Sequence, residues 1–381
     1  MRYISFPFLL SIGLLISCSS SSPLDVILHA ENAKIKRVME NPDAYQVQIL
    51  YTQIDRDKHG KVSLTDYSYQ VDDSLYFYPA STVKFPVALL ALEKINELKA
   101  KNISINLDTP FRVANDFIVT TLRKEITKIF TVSSNAAYNR LFEFLGQDYI
   151  NEKLKQKEIA GRITHRLGTP FADSLITKEI LFYESENDSS VIFRQSPTSN
   201  TKLDKLNIRN VLKGDGYIEN ESLVMQPKDF SEKNYLPLRS LHGMLKRIYF
   251  PDLFSEDQRF KLTKEQLNFI IKTMKTLPYE KGYNRKEYYD SYGKFFMFGD
   301  TKTEIPKYIE IYNKVGYAYG HLTDCAYIKD VKNDIEFLTT ATILVNENGI
   351  YNDDQYEYDE IGIPFLAELG RSIYQTELEK K

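Results

Sequence analysis

The chain has 381 residues, of which 43% are hydrophobic and 27% are charged, and its formal net charge is -3. This is the balance of an ordinary globular protein, long enough for one large domain or two lobes. The near-neutral charge gives no indication of a nucleic-acid partner, and no internal repeat is present. The chain has two cysteines, Cys18 and Cys325. If Cys18 is covalently modified, no intrachain disulfide can form, and the fold must then be stabilised by its hydrophobic core.

The N-terminal segment has the pattern of an export signal. A positive start at Arg2 precedes an almost wholly apolar stretch over 4–16, which is too short for a comfortable membrane span. The segment continues to Cys18 and resembles the lipobox of a bacterial lipoprotein. The resemblance implies a signal peptide over 1–17, a lipid on Cys18, a tether over 18–42 and a location at the bacterial cell envelope. The alternative is a plain secretory signal.

The first elements after the tether are predicted to form a β-hairpin. The stretches 45–54 and 62–69 alternate apolar and polar residues and are rich in strand formers. A cluster of turn-forming residues from Asp55 to Gly60 lies between them. The spacing of Asp55, Asp57 and Gly60 also imitates a calcium-binding loop. Strands rather than helices flank it, however, which favours a simple turn and no metal.

A serine and a lysine stand before the longest apolar run of the body. Residues 85–92 are all apolar, which predicts a helix buried on every side, with an irregular start because of Pro86. Three residues apart, Ser81 and Lys84 lie on one face near the helix N-terminus, where negative charge is favoured. A hydroxyl with an amine in reach can act as a nucleophile. The alternative is an N-cap serine beside a solvated lysine.

The tetrad Ser-x-x-Lys occurs twice more in the chain, at Ser199 to Lys202 and at Ser291 to Lys294. Neither copy introduces an apolar run. Both are therefore predicted to be solvated loops, and Ser81 is the only serine of the three with a buried helix behind it.

The middle of the chain, 98–300, is predicted to be a mainly helical lobe. Within it, 184–221 is dense in Ser, Asn, Asp, Lys and Gly, which predicts an insertion or a long loop. The predicted helices are 120–130, 135–145 (closed by Gly146), 236–248 and 263–277.

The character of the chain then changes to strands. The predicted strands are 309–315, 324–328 and 335–345, with a turn at Tyr319-Gly320, and a helix over 361–379 closes the chain. Strands at both ends with helices between them predict an α+β sandwich over 43–381. Its antiparallel sheet comes from 43–97 and 301–381, and the helical lobe is inserted between them.

Two further motifs follow Ser81 along the chain, Ser133-Ser134-Asn135 and Lys314-Val315-Gly316. In this order, behind Ser-x-x-Lys and a leading hairpin, they resemble the penicillin-recognising serine enzymes. That superfamily contains class A β-lactamases and penicillin-binding proteins. The resemblance covers roughly residues 45–381.

This resemblance implies acyl transfer without a cofactor. Ser81 would attack a carbonyl and become an acyl-enzyme, with Lys84 as the candidate base. Ser133 would relay a proton to the leaving nitrogen, and Lys314 would supply positive charge to the site and to a substrate carboxylate.

The same resemblance assigns three substrate-binding positions. Asn135 would hold a substrate amide. Gly316 and Tyr317 would line the site, and the backbone N–H groups of Ser81 and Tyr317 would form an oxyanion hole. Taken one at a time, each residue also has a structural interpretation: Ser133 and Asn135 are helix-capping types, and Lys314 could be a solvated lysine at a strand end.

The chain departs from the family pattern at several points. Ser134 replaces an Asp, and Val315 replaces a hydroxyl residue that would grip a β-lactam carboxylate. The Glu-x-x-Leu-Asn string, whose Glu activates the deacylating water in class A β-lactamases, is missing after Asn135. Three glutamates fall in the broad region but outside any such motif: Glu179, Glu184 and Glu186.

Three functions remain open. The first is a lipid-anchored serine hydrolase or acyltransferase that acts on an amide or ester of the cell envelope, with a small-molecule or peptidoglycan-derived substrate. The second is a class A-like β-lactamase with an atypical base. The third is a non-catalytic binding lipoprotein. A metal hydrolase is disfavoured because no His-Glu-x-x-His pattern occurs, and Cys325 is predicted to be a core residue.

Overall fold

The computed structural model describes residues 21–186 and 190–381. The predicted signal peptide and Cys18 lie outside the described residues. Single 3₁₀ turns occur as well, among them Ala80–Val83. The helices are α1 (Pro23–Leu28), α2 (Ala33–Met39), α3 (Lys84–Ala100), α4 (Leu122–Val132), α5 (Asn135–Leu145), α6 (Gln147–Gln156), α7 (Leu238–Tyr249), α8 (Lys264–Lys275) and α9 (Ile363–Glu379).

Thirteen strands accompany these helices in the described part of the chain. They are β1 (Gln48–Arg56), β2 (Val62–Tyr69), β3 (Phe111–Val113), β4 (Ile180–Tyr183), β5 (Val191–Gln195), β6 (Leu212–Lys213), β7 (Gly216–Glu219), β8 (Ser222–Val224), β9 (Lys228–Asp229), β10 (Ile309–Ala318), β11 (His321–Asp330), β12 (Ile335–Leu344) and β13 (Ile350–Tyr351).

The main sheet has five strands in the order β10-β11-β12-β1-β2, and every neighbouring pair is antiparallel. The register joins the two ends of the chain directly, since Ile49 of β1 faces Ala341 of β12. All ten residues of β12 are buried, as expected for a strand covered on both faces. The predicted α+β sandwich, with one antiparallel sheet built from both chain ends, is confirmed.

Helices cover both faces of this sheet. One core packs α1, α2 and α9 against the sheet through residues such as Ile35, Phe337 and Phe365. The other core packs α7 and the helical lobe against the opposite face through residues such as Leu245 and Leu338. Within the ranges that the structure describes, no helix is long and apolar enough to cross a bilayer.

The predicted tether differs from the structure, because the chain is folded from Pro23 onward. Ser22 caps α1 with a reciprocal capping box, and most apolar side chains of α1 and α2 belong to the core that also contains α9. Helices of six and seven residues are too short to show a clear apolar period, which is why the sequence pattern missed them.

The predicted insertion is also more ordered than a long loop. Its described residues include β5, which pairs with β4, and β7, which pairs with β8 and, in parallel, with β13 from the distant C-terminal part of the chain. Aromatic side chains fasten this region to the sheet lobe: Phe230 contacts Tyr76, Tyr319 and Tyr351. Non-local pairing of this kind leaves no local signal in the sequence.

The burial of α2 predicts that it contributes to stability. Ile35 has 0% exposure, so Ile35→Ala leaves a cavity and is expected to lower the free energy of unfolding by about 2–5 kcal/mol. Val26 on α1 is 59% exposed, and Val26→Ala is expected to change it by less than about 0.5 kcal/mol. Urea unfolding of both variants checks this. Equal and small effects would mean that the two helices are not part of the folded body.

Candidate active site

Ser81 lies in a 3₁₀ turn directly before α3. The backbone N–H of Lys84 donates to the carbonyl of Ser81, and the Thr82 hydroxyl closes the turn by donating to the carbonyl of Pro79 at 2.6 Å. Residues i and i+3 of a 3₁₀ turn eclipse each other, so Ser81 and Lys84 share one side of it. Ser81 is partly exposed, whereas the other turn residues are buried. The turn therefore places Ser81 and Lys84 on one side, as predicted, while the hydrogen bonds of the Lys84 amine within the described residues go to Ser133 and Asn135.

Lys84 is fully buried, and its Nζ meets the loop that joins α4 to α5. It donates to the backbone carbonyl of Ser133 and, at 2.7 Å, to Oδ1 of Asn135, and it lies 3.3 Å from Oγ of Ser133. Burial, and then the charge of Lys314, lower the pKa of Lys84 well below its usual value. A lowered pKa increases the fraction of neutral amine, which is the form that can accept a proton.

Ser133 sits at the junction of α4 and α5 in a left-handed conformation, with φ 52° and ψ 37°. A non-glycine residue in this region carries strain of about 1 kcal/mol or more. The neighbouring Ser134 caps α5 by accepting from the N–H of Ala137 at 3.3 Å. The capping role therefore belongs to Ser134, and Ser133 and Asn135 are left to meet the lysine amine.

Lys314 approaches Ser133 from β10 of the sheet. Its buried Nζ donates to Oγ of Ser133 at 2.8 Å and to the carbonyl of Val315 at 2.7 Å. Burial lowers the pKa of Lys314 to about 7. Two lysine amines therefore contact one hydroxyl, and their mutual repulsion favours a state in which only one of them carries a charge. The interpretation of Lys314 as a solvated lysine at a strand end is wrong.

Gly316 brings β10 into backbone contact with the serine turn. A Cβ at this position would lie 2.5 Å from the carbonyl oxygen of Pro79 and 2.9 Å from the amide nitrogen of Ser81. The peptide between Gly316 and Tyr317 thus starts beside the amide of Ser81. This placement suits the predicted pair of oxyanion donors, the amides of Ser81 and Tyr317.

Cys325 is buried behind this strand, as predicted for a core residue. Its Sγ donates to the carbonyl of Lys314 at 3.4 Å, and burial raises the pKa of the thiol. A thiol that stays protonated is a poor nucleophile, so Cys325 supports the position of β10 and takes no part in the chemistry.

One of the two spare Ser-x-x-Lys strings is not a solvated loop. Ser199 and Lys202 are exposed as predicted, but Ser291 and Lys294 are buried. Nζ of Lys294 donates to Oδ1 of Asn313 at 2.9 Å and to two backbone carbonyls. The prediction failed because the acceptors lie on distant elements, which give no local pattern.

Lys294 belongs to a buried polar network directly behind Lys314. The side-chain amide of Asn313 donates to Oδ1 of Asp324 at 2.8 Å. The other carboxylate oxygen, Oδ2 of Asp324, accepts from the N–H of Phe295 at 3.0 Å. Burial raises the pKa of Asp324 to about 6 and lowers that of Lys294 to about 8. Polar residues inside otherwise apolar strands were the one sequence signal for this network.

The glutamates considered as deacylation bases have other partners. Glu179 accepts from Arg194 at 2.6 Å, and Glu186 pairs with Lys124 near the start of α4. Lys124 precedes Ser133 by nine residues, or about 13 Å along the helix axis. Glu184 is exposed.

A loop without a carboxylate faces Asn135 instead. A Cβ on Gly168 would lie 2.7 Å from Nδ2 of Asn135, and the flanking Leu167 is fixed through both backbone groups by the side chain of Asn139. The residues that lie against Asn135 and Asn139 are therefore Gly168 and Leu167, and neither of them carries a carboxylate.

The close approach of Gly316 yields a prediction. Gly316→Ala is expected to move β10 away from the serine turn and to slow acylation of Ser81 by about 10²-fold or more, because an oxyanion donor is lost. Gly243→Ala on α7 is the matched control, since its Cβ meets a side-chain atom, Nη1 of Arg247 at 3.0 Å, and not the backbone of another element. Rates of covalent labelling check this, and equal rates in the two variants would refute the contact.

Comparison with known proteins identifies the family of the chain. A family model described as "Beta-lactamase enzyme family" matches residues 32–376. By sequence, no curated protein matches the chain.

Two solved structures illustrate the likeness in fold. The L158E mutant of PBP-A, an acyl-enzyme complex with penicillin G, has a TM-score of 0.51 and 14% identity and covers 94% of this chain and 97% of its own. A β-lactamase from Sphaerobacter thermophilus DSM 20745 has a TM-score of 0.49 and 11% identity and covers 93% and 96%. The match of the family model over most of the chain is decisive: the protein belongs to the β-lactamase enzyme family, within the penicillin-recognising serine enzymes.

Proposed function

We propose that the protein is a serine acyl hydrolase or acyltransferase that forms an acyl-enzyme on Ser81 with an amide or ester of the cell envelope. Membership of the family implies a serine acyl-enzyme hydrolase in general terms. The single observation that carries the proposal for this chain is the convergence of the Lys84 and Lys314 amines on the hydroxyl of Ser133, beside the turn that holds Ser81.

The reaction uses these groups in sequence. Neutral Lys84 accepts the proton of the Ser81 hydroxyl as Oγ forms a bond to the substrate carbonyl carbon. The amides of Ser81 and Tyr317 stabilise the oxyanion. The bond from that carbon to the leaving nitrogen or oxygen then breaks, and the leaving atom receives a proton through Ser133. Water or another acceptor later takes the acyl group from Ser81.

The second half of the reaction is proposed to be slow. Deacylation by water needs a base, the Glu-x-x-Leu-Asn string that supplies one in class A β-lactamases is missing, and Leu167 and Gly168 beside Asn139 and Asn135 carry no carboxylate. An acyl-enzyme that hydrolyses slowly has time to react with an amine acceptor. Peptidoglycan-derived peptides are the substrate class that fits such an intermediate. The L158E mutant of PBP-A, which has a similar fold, was solved as an acyl-enzyme with penicillin G, which supports penicillins as probes.

The proposed location is the bacterial cell envelope, with a lipid on Cys18. The support is the lipobox-like sequence that ends at Cys18 and the start of folded structure at Pro23. Five residues of extended chain span at most about 18 Å. A lipidated protein would therefore sit close to the membrane that holds it.

Covalent labelling tests the proposed activity. The full-length protein is incubated with a fluorescent penicillin and, separately, with a fluorophosphonate, and the intact mass and the modified peptide are determined. We expect an adduct on Ser81 that persists for hours with the penicillin. Ser81→Ala should abolish it, whereas Ser199→Ala, in the solvated copy of the tetrad, should leave it unchanged.

The outcomes separate the three candidate functions. Rapid turnover of the penicillin would favour a β-lactamase with an atypical base over the proposed slow hydrolase. If neither probe labels Ser81, the protein is a non-catalytic binding lipoprotein and the proposal is wrong.

The two lysines predict a bell-shaped pH dependence for fluorophosphonate labelling. The rate should rise with pH as Lys84 loses its proton, because the neutral amine is the base. Above about pH 7 the rate should fall again. Lys314 loses its proton there, and the site then lacks the positive charge that Lys314 supplies. Lys84→Met should lower the maximum by about 10²–10⁴-fold. Lys314→Met should remove the alkaline limb, and an unchanged limb would exclude Lys314 as its source.

A further inference from the structure

A cleft lined by aromatic side chains opens from Ser133, and we call it the aromatic cleft. It has a volume of about 320 Å³, which lies at the lower end of the range for small-molecule sites. Its wall comes from the segment before β10, from β10 itself and from the turn before α9. Its aromatic residues are Tyr289, Tyr292, Phe295, Tyr317, Tyr356 and Tyr358.

The rings form a connected wall. Tyr317, 53% exposed, contacts Phe295 edge-on at 6.0 Å and Tyr358 edge-on at 5.5 Å between ring centroids, and Tyr358 contacts Tyr356 at 5.3 Å. An edge-to-face contact covers one face of only one ring of the pair, so the pairs do not cover all the ring faces. The negative face of an aromatic ring attracts a cation, with an effect that grows as water is excluded.

The charged side chains of the cleft also favour a cationic ligand. Asp359 and Glu360 line it, both are exposed, and neither has a hydrogen-bond or ion-pair partner in the part of the chain that the structure describes. No Lys or Arg is among its described lining residues. The nearby cations have partners, since Lys302 lies over the ring of Tyr289 at 5.4 Å and Lys314 is bound to Ser133.

Val315 offers no hydrogen-bond donor from its side chain to an anion. It lines the cleft with an aliphatic side chain, at the position where the family motif has a hydroxyl residue. The described walls therefore combine ring faces and free carboxylates with no side-chain cation.

We infer that the aromatic cleft binds the leaving-group half of the substrate, and that this half carries a cationic amine on an apolar body. The inference rests on the proposed function, because Ser133 protonates the leaving atom and must touch it. The leaving group then extends from Ser133 into the cleft. Its ammonium meets the faces of the tyrosines and the carboxylates of Asp359 and Glu360.

Thioesters with one acyl group and different leaving groups test this inference. Acetylthiocholine has a cationic leaving group, 3,3-dimethylbutyl thioacetate is its neutral isostere, and S-acetyl-3-mercaptopropanoate is anionic. Thiol release is measured with the full-length protein, and Ser81→Ala gives the background. We expect kcat/KM for the cationic ester to exceed that for the neutral one by at least about tenfold, with the anionic ester slowest.

Two variants assign the preference to the cleft. In the double variant Asp359→Asn, Glu360→Gln, kcat/KM for the cationic ester should be within about threefold of kcat/KM for the neutral ester. Asp257→Asn, which changes an exposed carboxylate of the helical lobe, should keep the wild-type ratio. A second measurement applies if the esters are turned over too slowly to compare. In it, 2-phenylethylammonium should protect Ser81 from fluorophosphonate labelling at a concentration about tenfold lower than 2-phenylethanol or 3-phenylpropanoate requires.

The readouts distinguish the two proposals. No labelling of Ser81 would defeat the proposed function itself. Labelling of Ser81 with equal rates for the three esters and equal protection by the three ligands would leave that function standing and overturn the inference about the leaving group. A cation preference that survives the double variant would also overturn it, because the preference would then arise elsewhere.

Discussion

The burial of two lysine amines against one serine hydroxyl is the constraint on which the site depends. An ammonium group away from water is costly unless it is paired or loses its proton. Lys84 has oxygen acceptors from the loop at Ser133, and Lys314 has the same hydroxyl and the carbonyl of Val315. The site therefore holds its amines ready to exchange protons, and it can do so only while the surrounding elements keep water out.

Three separate parts of the chain must meet to satisfy that constraint. The turn at Ser81 begins the buried helix α3, Ser133 lies between two helices of the inserted lobe, and Lys314 lies on an edge strand of the sheet. Gly316 allows the strand and the turn to touch, and the left-handed conformation of Ser133 turns its side chain toward both amines. The two-lobed architecture is thus what places the chemistry at the boundary between sheet and helices.

Local patterns predicted the parts of this arrangement that have local causes. The helix after Ser134 has the predicted bounds, 135–145, because a capping serine begins it and Gly146 ends it. The hairpin followed from alternation and the C-terminal strands from their strand-forming residues, and the three motifs contain residues that the structure brings together: Lys84, Ser133 and Lys314.

The errors share a non-local origin. The short helices before residue 40 are stabilised by packing on α9, and β7 pairs with β13 across more than a hundred residues of sequence. Lys294 is buried because its acceptors come from other elements, and the aromatic cleft is assembled from three distant segments. A single sequence shows which residues are available for such contacts, but it does not show which of them meet.

The chain has 27 tyrosines and no tryptophan, and five of those tyrosines line the cleft beside Ser133. In most proteins, tryptophan collects the excitation energy of tyrosine and dominates the ultraviolet emission. Here phenol emission is free of that background, and carboxylates or ammonium groups near the rings can quench it. A ligand in the cleft can therefore change the part of the intrinsic fluorescence that comes from these five tyrosines, with no need for an attached dye.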